Sequence, residues 1–161
     1  SALEVTLTWG TLGIATMLAP VAWRIPLGRW RGGRTLAAAT TVVGIGAAIP
    51  LASTSFPAML LSALFFGGGM FTTPAAVTAL VRHSSPKATW GSAVAVFTVV
   101  FAIGQSIGPI FTGWLADASH SLYSGLAGSA LVLLAAGGVA LLQRDVGKQG
   151  DRVADAVIRA D

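Results

Sequence analysis

The chain has 161 residues, of which 54% are hydrophobic and 10% charged, with a mean hydropathy of +0.76. A soluble domain carries about a quarter of its residues charged, so water is excluded as the main solvent. Ten Lys and Arg against six Asp and Glu leave a net charge of +4, but the bases lie in short segments between apolar runs rather than on one water-facing surface, which argues against a nucleic-acid partner.

Uncharged runs occupy residues 5–23, 35–81, 88–116 and 118–143, each long enough for a span of roughly 20 residues, and the second is long enough for two. The first span is expected at 5–23. It is followed by the basic segment Arg24 to Arg34, where Pro26, Gly28, Gly32 and Gly33 break helical continuity. The second span, 36–53, runs into the stretch IPLASTSFP, which reads as a tight uncharged turn from Pro50 to Pro57, and the third span takes 58–81. The polar segment RHSSPK offers Ser84 or Ser85 as a cap ahead of Pro86, and the fourth span, 88–116, follows. The turn DASH leads into the fifth span, 122–143. The last residues, 144–161, form a charged tail in which Asp155 and Arg159 stand in i, i+4 register. The fold class expected is therefore all-α, a polytopic transmembrane helix bundle of five spans lodged in a lipid bilayer.

All ten bases fall on one side of this arrangement: Arg24, Arg29, Arg31 and Arg34 after the first span, Arg82 and Lys87 after the third, and Arg144, Lys148, Arg152 and Arg159 in the tail. By the positive-inside rule that side is cytoplasmic, with the N-terminus outside and the C-terminus inside. The opening residues carry no basic segment ahead of a short apolar stretch, so no signal peptide is expected there. With no cysteine and only His83 and His120, both in loops, neither a thiolate metal site nor a cofactor is expected. Asp117, Ser119 and His120 share one short turn with nothing to impose triad geometry, so the reading is of a non-enzyme.

Helices in lipid associate through small residues that let backbones approach. Gly67, Gly68 and Gly69 in the third span, and Gly104 and Gly108 in the fourth, are the candidates for such packing. As phosphate cradles they lack a preceding strand and a following Lys-Ser/Thr. Pro74 and Pro109 lie inside apolar spans and are expected to kink them. Thr72, Thr73, Gln105 and Ser106 set polar groups beside the prolines, either lining a solute pathway or satisfying the carbonyls that proline frees. Gln105 is the most polar residue deep in a span and is expected to face the bundle interior. Phe97 and Phe101 precede it on roughly the same helical face. The candidate pathway set is Gln105, Phe101, Phe97, Thr72 and Thr73.

Two stretches carry a family resemblance. PLGRWRGGRTL, after the first span, places Arg29, Arg31, Gly32, Gly33, Arg34 and Leu36 near the positions of a cytoplasmic loop motif of the form G-x-L-A-D-R-x-G-R-R. Arg29 stands where that motif carries its acid. GQSIGPIFTGWLAD, from Gly104 to Asp117, is similar to the eleventh helix of the same family. The chain thus resembles the C-terminal half, helices eight to twelve, of the major facilitator superfamily of secondary transporters, in its YbfB/YjiJ-like branch. The resemblance implies carriage of a small-molecule solute by alternating access in the bacterial inner membrane, at a site between two six-helix halves. It also implies that the N-terminal half and the seventh helix are missing partners of this chain. Spans one, three and four would then face the pathway, and spans two and five the lipid. A small non-transporting membrane scaffold is the alternative.

Overall fold

A computed structural model describes residues 1–143, and the expected tail lies outside them. The helices are α1 (Ala2–Ala22), α2 (Arg24–Arg29), α3 (Arg34–Ala52), α4 (Phe56–Met70), α5 (Thr72–Ser84), α6 (Trp90–Ser119) and α7 (Leu122–Leu141), with a 3-10 turn at Lys87–Thr89. They combine into five stretches long and apolar enough to cross a membrane: Ala2–Arg29, Arg34–Ala52, Phe56–Ser84, Lys87–Ser119 and Leu122–Leu141. No strand occurs among the described residues. The chain is an integral membrane protein whose outer helix surfaces contact lipid.

The N-terminus of α1 is fixed by a capping box, in which the Glu4 amide donates to Ser1 Oγ at 3.4 Å and the Glu4 carboxylate returns to the Ser1 backbone. At the other end the helical path breaks at Trp23 and resumes as α2. The bundle is built around α3, which packs against α4 on one flank and α7 on another, while α1 lies on α4. The core is made of small residues: Ala37, Ala39, Thr40, Val43, Gly44, Gly46 and Ala47 are all buried, and no large side chain is fully buried among the described residues. Where apolar side chains gain little by leaving lipid for a protein interior, this close contact of backbones is what holds helices together. A Cβ on Gly46 would lie 2.7 Å from the Phe66 nitrogen, and one on Gly137 would lie 2.5 Å from Thr41 Oγ1.

Three sequence expectations change here. The turn expected from Pro50 shrinks to residues 53–55, because α3 continues through Pro50 to Ala52. Proline at position 50 leaves the Gly46 carbonyl without its amide partner. The Ser62 hydroxyl replaces it, donating to Gly46 O at 2.7 Å. The third span, expected as one helix, is interrupted at Phe71 between α4 and α5. The second span, expected at the lipid-facing periphery, is the most covered of the five; its glycines and alanines admit neighbours on two sides, and only Ile45 and Leu51 are exposed among its large apolar residues.

Candidate functional site

The interruption between α4 and α5 follows from local chemistry. Pro74 sits in the first turn of α5, where its missing N–H leaves the carbonyl four residues back without a partner. The preceding Gly67, Gly68 and Gly69 give the backbone little side-chain support, and neighbours are drawn into contact with it. A Cβ on Gly67 would approach Leu12 O to 2.5 Å, and one on Gly69 would approach Val43 Cγ2 to 2.7 Å and Ala39 O to 2.9 Å. The run is therefore wedged between α1 and α3. On Gly68 the same atom would meet nothing within 4 Å.

The three glycine carbonyls all accept side-chain donors. Thr16 Oγ1 donates to Gly67 O at 3.3 Å, Trp23 Nε1 to Gly68 O at 2.8 Å, Thr72 Oγ1 to Gly68 O at 3.3 Å, and Thr73 Oγ1 to Gly69 O at 3.5 Å. Thr72 is buried behind the break.

Immediately after the break, α5 and α6 diverge around a cleft of about 440 Å³. Thr73, Pro74, Val77 and Thr78 form one wall, and Val94, Phe97, Thr98, Val100 and Phe101 the other. The structure thus brings together Thr73, Pro74, Phe97 and Phe101 from the candidates named above. Thr72 and Gln105 do not line the cleft. Among the described residues no ionisable side chain lines it, and the Thr78 and Thr98 hydroxyls donate to Pro74 O at 3.1 Å and Val94 O at 2.8 Å. The hydroxyls that face the cleft therefore present acceptor lone pairs above all.

Helix α6 differs from the other membrane-length helices described. None of its residues is buried, although it carries Val96, Val99, Val100, Ile103, Ile107 and Ile110 as well as the two phenylalanines. Such a helix, apolar all round, belongs in a membrane or beneath other helices. Gln105 lies on its exposed surface, and among the described residues its amide has no side-chain hydrogen bond. Gly104 and Gly108, expected to seat a neighbouring helix, meet no neighbour among the described residues: a Cβ on either would find open space. The reason is placement, since α6 touches α7 and α5 while α1, α3 and α4 pack elsewhere. Pro109 lies within α6 without interrupting it.

The basic loop that follows α1 is ordered by backbone contacts. Gly32 adopts φ 64°, a left-handed conformation that costs glycine nothing. The next residue, Gly33, donates its amide to Gln143 O at 3.3 Å, and a Cβ on it would run into the Ala140 carbonyl. Thr35 Oγ1 donates to Pro26 O at 2.9 Å, tying the start of α3 back to α2. Arg29, Arg31 and Arg34 stay exposed, and among the described residues none of them has a carboxylate partner. In the second basic loop the Arg82 guanidinium lies 5.4 Å from the Trp90 ring centroid, and Trp90 Nε1 donates to Ser85 O at 2.9 Å.

Sequence reasoning missed Trp23, which read as the end of a span and nothing more. Only the fold shows that its indole reaches a carbonyl 45 residues away. It also missed Val77, Thr78, Val94, Thr98 and Val100; Val77 and Thr78 stand one turn from Pro74, Val94 one turn from Phe97 and Thr98 one turn from Phe101. A family model described as "Uncharacterised MFS-type transporter YbfB" matches residues 1–141. Comparison with curated proteins and with solved structures found no match.

Proposed function

The chain belongs to this family of MFS-type transporters, and from that premise we propose that it carries a small solute by alternating access, with α6 and the α5 wall of the cleft lining the route. The observation that carries the reading is the combination of an apolar α6 without a single buried residue with a cleft beside the α4–α5 interruption. An uncovered helix surface bearing an amide and two closely placed glycines fits burial against further transporter helices, the N-terminal half implied by the sequence. In that assembly Gln105 faces the central cavity and Gly104 and Gly108 take up the helix contacts they lack here. The solute is moved unaltered, so no catalytic residue is assigned. The bases gathered at Arg24–Arg34 and Arg82–Lys87 support an orientation with those loops cytoplasmic and the N-terminus outside, and the family resemblance supports the bacterial inner membrane as its location.

Flux measurements on the assembled transporter in proteoliposomes test this. A panel of radiolabelled small solutes should include at least one whose uptake is saturable and collapses with the imposed gradient. Phe101→Ala and Gln105→Leu should lower that flux at unchanged protein level. No gradient-dependent flux for any solute, or full flux in both variants, refutes the assignment.

A further inference from the structure

Two helix discontinuities in this molecule are tied together by side chains. The first lies at Trp23, where the α1 path ends with φ −92° and ψ 2° before α2 begins. The second lies at Phe71, between α4 and α5. The Trp23 indole donates at 2.8 Å to Gly68 O, two residues before the end of α4, and the Thr16 hydroxyl, two turns earlier on the same face, shares its proton between Leu12 O at 2.9 Å and Gly67 O at 3.3 Å. The Gly67 and Gly68 carbonyls belong to the glycine run that precedes the break. Thr16 lies in α1 and Trp23 immediately past its end.

We propose that Thr16 and Trp23 are positioning residues that hold the break between α4 and α5 and so set the α5 wall of the cleft. The inference rests on the transporter reading only in that the wall it positions is the one assigned to the solute route. The physical argument starts from the glycines. A run of three supplies no side chain to steady a helix end, and Pro74 removes an amide from the turn that follows. Each such break leaves backbone acceptors that must find donors in a medium without water. Thr72 and Thr73 supply donors from within the same segment, and these move with it. Thr16 and Trp23 are different because they are anchored elsewhere.

The Trp23 contact has a second arm. The α2 segment that starts at Arg24 is bound to the head of α3 through Thr35 and Pro26, and the loop beyond it to the end of α7 through Gly33 and Gln143. A displacement of the basic loop therefore reaches the Phe71 break through the indole, beside the direct packing of α2 and α3 on α5. The fold carries the remaining requirement as well: α5 opens directly into Thr73, Pro74, Val77 and Thr78 of the cleft, so a change of direction at residue 71 moves that wall as a unit.

Paired spin labels test this in the chain reconstituted into lipid vesicles. The sequence holds no cysteine, so Thr78→Cys and Thr98→Cys place one label on each wall without background. A second pair, Ile45→Cys and Val132→Cys on α3 and α7, reports on the bundle away from the break. Trp23→Phe keeps the ring and removes the donor; Thr16→Val keeps the shape and removes the hydroxyl. Each should raise a second, displaced distance population across the cleft, changing the population ratio roughly fivefold, the worth of one hydrogen bond. The α3–α7 distance should stay as it was. Unchanged cleft distances in both variants overturn the proposal, as does an equal change at both label pairs, which would mark Thr16 and Trp23 as general packing residues. If Trp23→Phe does not accumulate in membranes, Thr16→Val alone decides in the same way. Because the readout contains no solute, a failed flux measurement leaves it standing, and unchanged distances leave the transporter assignment standing.

Discussion

Gly67 and Gly68 are neighbours in one helix with the same intrinsic cost, and the structure predicts opposite responses to the same substitution. Alanine in place of glycine gains up to about 1 kcal/mol in helix propensity at either position. At Gly68 the added methyl meets nothing within 4 Å, so Gly68→Ala should be neutral or stabilising by a few tenths to about 1 kcal/mol. At Gly67 it lands 2.5 Å from Leu12 O and 3.2 Å from Ala15 Cβ. A backbone carbonyl cannot rotate away as a side-chain end can, so α1 must move off α4, at an overpacking cost of about 1–3 kcal/mol. Part of that cost is offset by propensity, which leaves Gly67→Ala destabilised by roughly 0–2 kcal/mol and separates the two variants by about 1–3 kcal/mol. Titration of the folded protein with SDS in mixed micelles, followed by circular dichroism, measures the difference directly. Equal midpoints for Gly67→Ala and Gly68→Ala would show that α1 does not approach α4 as described, and the argument from wedged glycines would fail.

The remaining predictions concern the loops. Gly33→Ala should destabilise the protein by about 1–3 kcal/mol, because its methyl is aimed at the Ala140 carbonyl, while Gly28→Ala, with open space at the same atom, should not; the same SDS titration separates them. Cysteines at Ser55 and Lys87, both exposed, should react with a membrane-impermeant maleimide from opposite faces, Ser55→Cys from outside intact cells and Lys87→Cys only after permeabilisation. Labelling of both from one side contradicts the proposed orientation.

The five spans were legible because lipid imposes a simple rule on composition: roughly twenty residues without charge, fenced by bases and turn formers. Hydrogen bonding between spans was not. Pro50 reads as a helix end in sequence, and it is Ser62, twelve residues downstream on another helix, that lets α3 continue by donating to Gly46 O. Pro74 did signal a discontinuity, but its place at Phe71 depends on the glycines before it and on the donors Thr16 and Trp23. Small residues announce close packing without saying against what. Gly67 and Gly69 meet α1 and α3, whereas Gly104 and Gly108, equally conspicuous in sequence, meet nothing among the described residues. Half of the cleft was legible through Thr73, Pro74, Phe97 and Phe101. Gln105 was read from its polarity, and its position on open α6 rather than in the cleft could come only from the fold.

The central claim is that the exposed surface of α6 faces a water-filled solute route in the assembled transporter. Replacing Gln105 with cysteine places a single thiol in the chain, midway along α6. A charged, membrane-impermeant methanethiosulfonate reagent needs water both to reach that thiol and to keep it ionised for reaction. In membranes containing the assembled transporter, Gln105→Cys should react readily, while Leu131→Cys, on the exposed surface of α7, should not. A Gln105→Cys thiol as unreactive as that of Leu131→Cys would place α6 against lipid or packed helices and contradict the account.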